Sequence, residues 1–313
     1  MPSSNSVDFS VSRNDIITAA YQEIGVYRVG QTLSSDDITL AATRLNMQVK
    51  QWQGVSDFAP GLKEWSRKRG YVFLQTGQAS YSLGPSGDNA TSSYSRTTIS
   101  TAEASGQTVL SVTSTTGMTA ADIIGIVLDT GAIHWTTIVS TGAGPTVTIT
   151  TQISSAAAAG NYVYWYTTKM RQPVEILTAS LRDENTKDTP LYIMRSIEEY
   201  ESISDKTADS DPTSLYYEFQ LTNGVMYLDA EPNDVTKVIR LVFLSAIEDF
   251  DATSDTPDYP QVWYLALTLQ LAKLLAPVFG VKWTEDQEQN RKEAIAVAKN
   301  FLPEVSNLYF QPG

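Results

Sequence analysis

Apolar residues recur along this chain with two different periods, and the change from one to the other divides it. Ile16, Ile17, Ala20 and Ile24 fall on one face at helical spacing. Ser12, with Asp15 three residues on, is placed to cap that helix, and Gly25 supplies a left-handed stop. A second helix is predicted after Ser34 and Ser35. Asp36 and Asp37 sit at its positive end, Ile38, Ala41, Leu45, Val49 and Trp52 form its stripe, and Gly54 ends it.

After Pro60 and Gly61 the period falls to two. Tyr71–Gln75 and Ala79–Leu83 read as strands joined in a hairpin by a tight turn at Gly77 and Gln78. Short β-like runs follow at Thr108–Val112, Ile123–Leu128, His134–Val139, Thr146–Thr150 and Tyr162–Tyr166, separated by Gly, Ser and Thr. Five more are predicted at Val174–Leu181, Leu191–Met194, Leu215–Gln220, Val225–Ala230 and Val238–Ser245. Asn223 and Gly224 mark a hairpin, and Ser196–Tyr200 reads as a short capped helix. Two helices close the pattern. One, after Pro260, is apolar on nearly all sides (Trp263, Leu265, Leu267, Leu269, Leu271, Leu274) and needs burial on several faces. The other starts at the N-cap Thr284 and runs to about Phe301 with a thin apolar face.

Composition changes this picture in one place. Arg96 is the last Lys or Arg until Lys169, and Ser, Thr, Gly and Ala dominate between them. That segment reads as a small all-β module inserted in a host domain, its ends close together. The predicted fold class is α+β: a helical bundle from N- and C-terminal helices, an antiparallel β domain in the middle, and the inserted β module. The expected divisions are 1–70 for the N-terminal helical part, 71–95 and 169–250 for the host β domain, 96–168 for the insert, 257–305 for the C-terminal helices and 306–313 for a tail.

The absence of cysteine excludes disulfides, thiolate metal sites and Cys nucleophiles. Met1–Ser12 has no apolar core and does not read as a signal peptide, and no run approaches the roughly 18 apolar residues of a membrane span. A net charge of −13 argues against a general nucleic-acid binder and suits a surface that polyanions slide past. Sequence signals for catalysis are weak. His134 is the one histidine, no Gly-x-Ser-x-Gly elbow, P-loop or dinucleotide fingerprint is present, and no cofactor or metal is expected. Asp205, Asp209 and Asp211, near Glu198, Glu199 and Glu201, form the densest carboxylate group. It could serve a hydrolase or an oxygen-ligated cation, but lacks a calcium-loop register and reads best as a solvated loop. Lys63 with Arg67, Lys68 and Arg69 is the one basic cluster. At a helix or loop end it reads first as solvated cations or as charges offsetting a helix C-terminus, and second as a contact for an acidic partner surface or for passing DNA. In the tail, Leu308, Tyr309 and Phe310 form an apolar anchor for a partner subunit. Asn307–Gln311 also resembles part of an engineered protease site, from which Ser306 and Pro312 depart.

Several segments outside the insert together resemble the head-to-tail adaptor proteins of short-tailed bacteriophages. They are Arg13–Gly25 with the helix reaching Trp52, Gly77–Tyr81, Ser196–Tyr200 with Ile203 and Lys206, Pro212 and Thr213, and Tyr216 and Tyr217. Further along come Asn223 and Gly224 with Tyr227, Leu228 and Pro232, then Tyr259, Pro260, Trp263, Ala266, Leu267, Leu271 and Ala272, and finally Leu275–Gly280. The resemblance implies a structural protein of the virion, assembled in the host cytoplasm, and not an enzyme. It implies a homo-oligomeric ring of twelve copies at the head–tail junction, bound to the portal protein through the tail peptide. Tail nozzle, fibre or spike proteins would dock on it, and DNA would pass through without sequence-specific binding. No membrane partner is implied. The competing reading is a carbohydrate- or cell-surface-binding virion protein using Tyr162, Tyr164, Trp165 and Tyr166 as a stacking platform. Strand alternation would put the three tyrosines on one face and Trp165 on the other.

Overall fold

The structure is a computed structural model that describes residues 9–53, 55–56, 59–60, 67–258 and 260–300. Among these residues are five α-helices: α1 (Arg13–Glu23), α2 (Ser35–Trp52), α3 (Ile197–Glu201), α4 (Trp263–Leu275) and α5 (Glu285–Lys299). The first strands are the two-residue pair β1 (Val55–Ser56) and β2 (Ala59–Pro60), then β3 (Arg67–Phe73), β4 (Ser80–Leu83) and β5 (Ala90–Thr91). Next come β6 (Ser95–Thr98), β7 (Val109–Ser111), β8 (Ile123–Val127), β9 (Ile133–Gly142), β10 (Thr146–Ile149) and β11 (Tyr162–Tyr166). The last are β12 (Pro173–Arg182), β13 (Asp188–Ile193), β14 (Ser214–Glu218), β15 (Gly224–Leu228) and β16 (Val238–Ser245). The chain divides into two compact units, Met1–Ser66 with Ile247–Gly313, and Arg67–Ala246.

In the helical unit, α1, α2, α4 and α5 share one core. Ile17, Ala20 and Tyr21 of α1 and Ala41 and Leu45 of α2 pack with Ala266, Leu267, Leu271 and Leu275 of α4, all fully buried. The caps form as their side chains allow. Ser12 and Asp15 close a reciprocal box at α1, with Asp15 N–H to Ser12 Oγ at 3.2 Å and Ser12 N–H to Asp15 Oδ2 at 2.9 Å, and Thr284 with Gln287 does the same at α5. Gly25, at φ +71°, makes the left-handed exit from α1. Glu288 locks α5 to α4. It accepts from Lys273 Nζ at 2.8 Å, from Trp283 Nε1 at 3.0 Å and from the Arg291 guanidinium at 2.7 and 3.0 Å. The Arg291 bonds above all, with Lys273 and Trp283 behind them, hold its carboxyl far below the usual glutamate range.

The β unit holds two curled sheets. The eight-stranded sheet has the order β4-β15-β14-β13-β12-β16-β3-β5, and the six-stranded sheet β6-β11-β8-β9-β10-β7. Ladders within both are antiparallel except β13 with β14, which run parallel through Tyr192↔Ser214 and Ile193↔Leu215. The six-stranded sheet comes close to a barrel. Where β6 and β7 end, Ser100 donates to the Ser111 carbonyl at 2.9 Å and Thr113 to the Thr98 carbonyl at 2.8 Å, joining its two outer strands. Ile124, Ile126, Val147, Val163 and Trp165 fill its interior.

The two sheets meet through an aromatic seam. Phe73 of β3 lies 5.2 Å from Tyr94, 4.9 Å from Trp135, 5.2 Å from Tyr164 and 5.8 Å from Tyr166, ring centre to ring centre. Gly125 permits this, because a Cβ there would come within 2.6 Å of the Trp135 ring that lies across it. Polar bonds flank the seam: Gln75 exchanges two with the Ile133 backbone at 3.0 Å each, and Thr76 Oγ1 donates to the Gly131 carbonyl at 2.6 Å.

These observations correct the predicted fold class. The protein is mostly β, with two curled sheets, and is not a helical bundle carrying an antiparallel domain and an appended all-β module. The Ser- and Thr-rich shift near residue 96 marks the solvent-facing positions of the second sheet. Its interior is a largely aliphatic core of its own, and Ile133, Tyr164 and Tyr166 on its outer face join the aromatic seam with the first sheet. A second correction concerns Gly77. The turn forms, with φ +72°, but β3 pairs with β16 and β5 while β4 pairs with β15, so no hairpin joins them.

Phe73→Ala should cost about 3–5 kcal/mol and loosen both sheets together. Urea unfolding followed by near-ultraviolet circular dichroism should show one shifted transition for the β unit, not an early one for residues 96–168. Glu288 has its carboxyl pKa depressed on folding, so its stabilisation is complete above about pH 5 and is lost as pH falls through the folded value. Glu288→Gln should therefore lower stability by about 1 kcal/mol at neutral pH, with the gap to wild type narrowing in acid-titrated thermal melts.

Candidate functional site

The basic cluster predicted from the sequence lies in a strand, not at a helix or loop end. Arg67, Lys68 and Arg69 open β3, whose alternation puts Arg67, Arg69, Tyr71 and Phe73 on one face and Lys68, Gly70 and Val72 on the other. β5 is only two residues long and pairs with Tyr71 and Val72, so it stops short of the basic stretch. Beyond its end lies a groove of about 850 Å3 lined by Arg67, Lys68, Arg69, Ser92, Thr168, Lys169, Met170, Arg171, Arg240, Val242 and Phe243. Six of these eleven residues are cationic and none is acidic, in a chain with 35 acidic and 22 basic residues.

Each wall has a local reason. Arg240 sits opposite Tyr71 in the β3–β16 ladder. Asp188 steadies it, accepting from its guanidinium at 3.0 Å while also taking Arg182 at 2.7 and 2.8 Å. Arg182 above all, with Arg240 behind it, holds the Asp188 carboxyl below the usual aspartate range. The segment 168–171 is tied alongside β5 by Met170 N–H to the Ala90 carbonyl at 2.8 Å and Thr91 Oγ1 to the Thr168 carbonyl at 2.8 Å. Lys169 Nζ bonds the Gly87 carbonyl. The floor is apolar. A Cβ on Gly70 would stand 3.0 Å from Met170 Cε and 3.1 Å from Phe243 Cε1, so glycine lets Met170 lie over the β3 backbone.

A second surface lies in the helical unit. Leu265 of α4 and Val297 of α5 are 61% and 62% exposed and flank a groove of about 600 Å3 with Val262, Leu269 and Ala294, rimmed by Glu23, Asn290 and Glu293. Met47, 67% exposed, adjoins another groove of about 450 Å3 with Leu40 and Leu274.

The remaining sequence candidates are placed as follows. Lys63 and the tail residues Leu308, Tyr309 and Phe310 lie outside the described residues. His134 sits on β9, its Nε2 3.2 Å from Thr151 Oγ1. Asp205 caps its own loop through the Thr207 N–H and hydroxyl, Asp211 pairs with Lys237 Nζ at 2.6 Å, and Glu199 accepts the Arg195 N–H at 2.9 Å. Among the described residues no group of three or more acidic or His side chains is arranged to hold a metal ion. No helix among them is long and apolar enough to cross a membrane. Tyr164, Trp165 and Tyr166 are buried, Trp165 in the barrel interior and the tyrosines in the seam. The Tyr162 ring lies under the Arg96 guanidinium, 5.0 Å away. The alternation along β11 is as the sequence indicates, but it faces two cores and offers no stacking platform for a sugar.

Sequence reasoning found Arg67, Lys68 and Arg69 and missed Lys169, Arg171 and Arg240, which long-range strand pairing brings to them. Lys169 and Arg171 do end the stretch without Lys or Arg, a signal visible in the sequence.

No protein-family profile matches this chain, and no curated protein does. Among solved structures, VP17, a capsid protein of bacteriophage P23-77, aligns over 60% of this chain and 76% of its own at 11% identity, with a TM-score of 0.12. A likeness at that TM-score carries no weight for fold or function.

Gly70→Val should drive Met170 and Phe243 apart and cost about 1–3 kcal/mol, read as a lower thermal midpoint.

Proposed function

We propose that this chain is a structural protein of a tailed-phage virion that works by assembling: a head-to-tail adaptor forming a ring between portal and tail. The observation that carries the reading is the apolar groove between α4 and α5, with Leu265 and Val297 exposed along it. α4 already buries Trp263, Ala266, Leu267, Leu269, Leu271, Ala272 and Leu275 within its own unit, yet leaves Leu265 exposed beside Val297. A helix that is apolar beyond the needs of its own core, next to a polar rim, has the anatomy of a surface completed by another subunit. A ring follows if the contact is heterologous and its rotation closes. The resemblance of the α1, α2 and α4 segments to the adaptor family supports the same reading. The overall charge of −13 suits a passage through which DNA slides without adhering.

Native mass spectrometry of the full chain, alone and with its cognate portal, tests this. A ring with the portal's subunit number is expected for wild type. Leu265→Asp with Val297→Asp should yield a folded monomer, both positions being exposed. A wild-type chain that stays monomeric with the portal present would overturn the adaptor reading.

A further inference from the structure

The α4–α5 groove has a counterpart on the other side of α4. Leu265 lines the first groove and Leu274 the second, the one that Met47 of α2 adjoins, and the two linings share no residue. Leu265 and Leu274 are nine positions apart, which is about two and a half helical turns. They therefore stand on opposite sides of one helix. Each groove pairs a recess with a protruding apolar side chain: Leu265 and Val297 in the first, Met47 in the second.

The charges at the two grooves differ in sign. Glu23 and Glu293 are the charged residues lining the α4–α5 groove, and Arg44 is the charged residue lining the α2–α4 groove. Arg44 donates from Nη1 to the Leu274 carbonyl at 2.9 Å, which braces its groove wall and fixes the cation there. Glu293 accepts from Gln289 at 2.7 Å along its own helix. Glu23 serves its helix poorly. It is the last residue of α1, where the helix dipole disfavours a carboxylate. A cation facing the groove rim from outside gives that position a use.

We propose that these grooves are the two halves of one contact between copies of this chain. Leu265 and Val297 of one copy seat beside Leu40, Met47 and Leu274 of the next, with Glu23 and Glu293 facing Arg44. The proposal rests on the assembly reading and names the surface that completes the α4–α5 groove. Charge decides against the symmetric pairings. Two α4–α5 grooves face to face would set Glu23 and Glu293 against their own counterparts, and two α2–α4 grooves would set Arg44 against Arg44. Like charges across an interface suppress such contacts, while the mixed pairing matches each sign. Met47 suits its role because an unbranched thioether adapts to the recess it enters. With the two halves on opposite sides of α4, the contact is heterologous. Every added copy then presents an open half to the next, which is how a ring closes.

Two half-blocked variants of the full chain test the pairing by native mass spectrometry, each alone and mixed, with and without the cognate portal. Leu265→Asp with Val297→Asp blocks the α4–α5 half. Met47→Glu blocks the other by setting a carboxylate against Glu23 and Glu293. All three substituted positions are exposed, so the thermal midpoints should stay near that of wild type. Each variant alone should be monomeric. Their equimolar mixture should give a heterodimer and nothing larger, because one intact pair of halves remains between them. Adding Glu23→Lys and Glu293→Lys to the Met47→Glu chain should weaken that heterodimer about tenfold. If Met47→Glu assembles as wild type does, the pairing is wrong and the adaptor reading stands. A homodimer of Met47→Glu would point to a symmetric α4–α5 contact and likewise sink the pairing. Rings that survive Leu265→Asp with Val297→Asp but no longer bind the portal would assign that groove to the portal instead. A heterodimer without a ring of the portal's subunit number would keep the pairing and remove the adaptor reading. A wild-type chain that is monomeric under every condition would remove both.

Discussion

The β unit depends on the packing of one side chain, Phe73. It stands on the face of β3 that turns away from the core of its own sheet, where a solvated strand would carry a polar residue. Burying an aromatic ring there joins the two sheets. Tyr94, Trp135, Tyr164 and Tyr166 surround it at tilted or edge-on angles, except Tyr166, which stacks nearly parallel. Such pairs add to the area buried because each ring's positive edge meets another's negative face. The tyrosine hydroxyls leave the apolar seam for polar partners, Tyr164 to the Thr236 carbonyl and Tyr166 to Asn89. Burial drives the phenol pKa of both upward, so they stay neutral donors throughout the physiological range.

Much of the local structure was legible in the sequence, and the reasons are local. Ser12, Ser34, Ser196 and Thr284 all cap helices, because a short hydroxyl or carboxyl pattern settles a helix start within four residues. The five strands between Thr108 and Tyr166 were visible as short β-like runs set off by Gly, Ser and Thr. What sequence could not reach was partnership. Tyr71–Gln75 and Ala79–Leu83 around a glycine turn look like a hairpin, yet β16, more than 160 residues later, wins the pairing with β3 by matching Val72 and Gly70 with Ile239 and Leu241. The same limit hid half of the basic groove, since Arg240 reaches Arg69 only through that ladder. The change of composition at residue 96 misled for a related reason. Polar residues on outward positions dominate a count, while the aromatic residues that decide the packing are few.

One groove of the β unit departs from the acidic balance of the chain. Six cations gather in one groove of a protein whose acidic residues otherwise prevail. The apolar floor of Met170, Val242 and Phe243 lowers the local dielectric, so the charge interactions these side chains make are stronger than in water. Asp188 acts in the opposite sense. By holding Arg182 and Arg240 together it keeps their guanidinium groups oriented, and it neutralises one positive charge in doing so.

The register Arg67↔Leu244 has a further consequence for how the chain reaches its fold. The β unit is spliced into the helical unit, so the helical core closes only when α4 meets α1 and α2 across 210 intervening residues. An unstructured spacer of that length would impose its full closure entropy on the meeting. Because β3 and β16 are neighbours, the folded spacer holds its own two ends side by side, and most of that entropy has already been spent. During synthesis α1 and α2 leave the ribosome before α4, so their shared core is completed only after the residues of the β unit have been made.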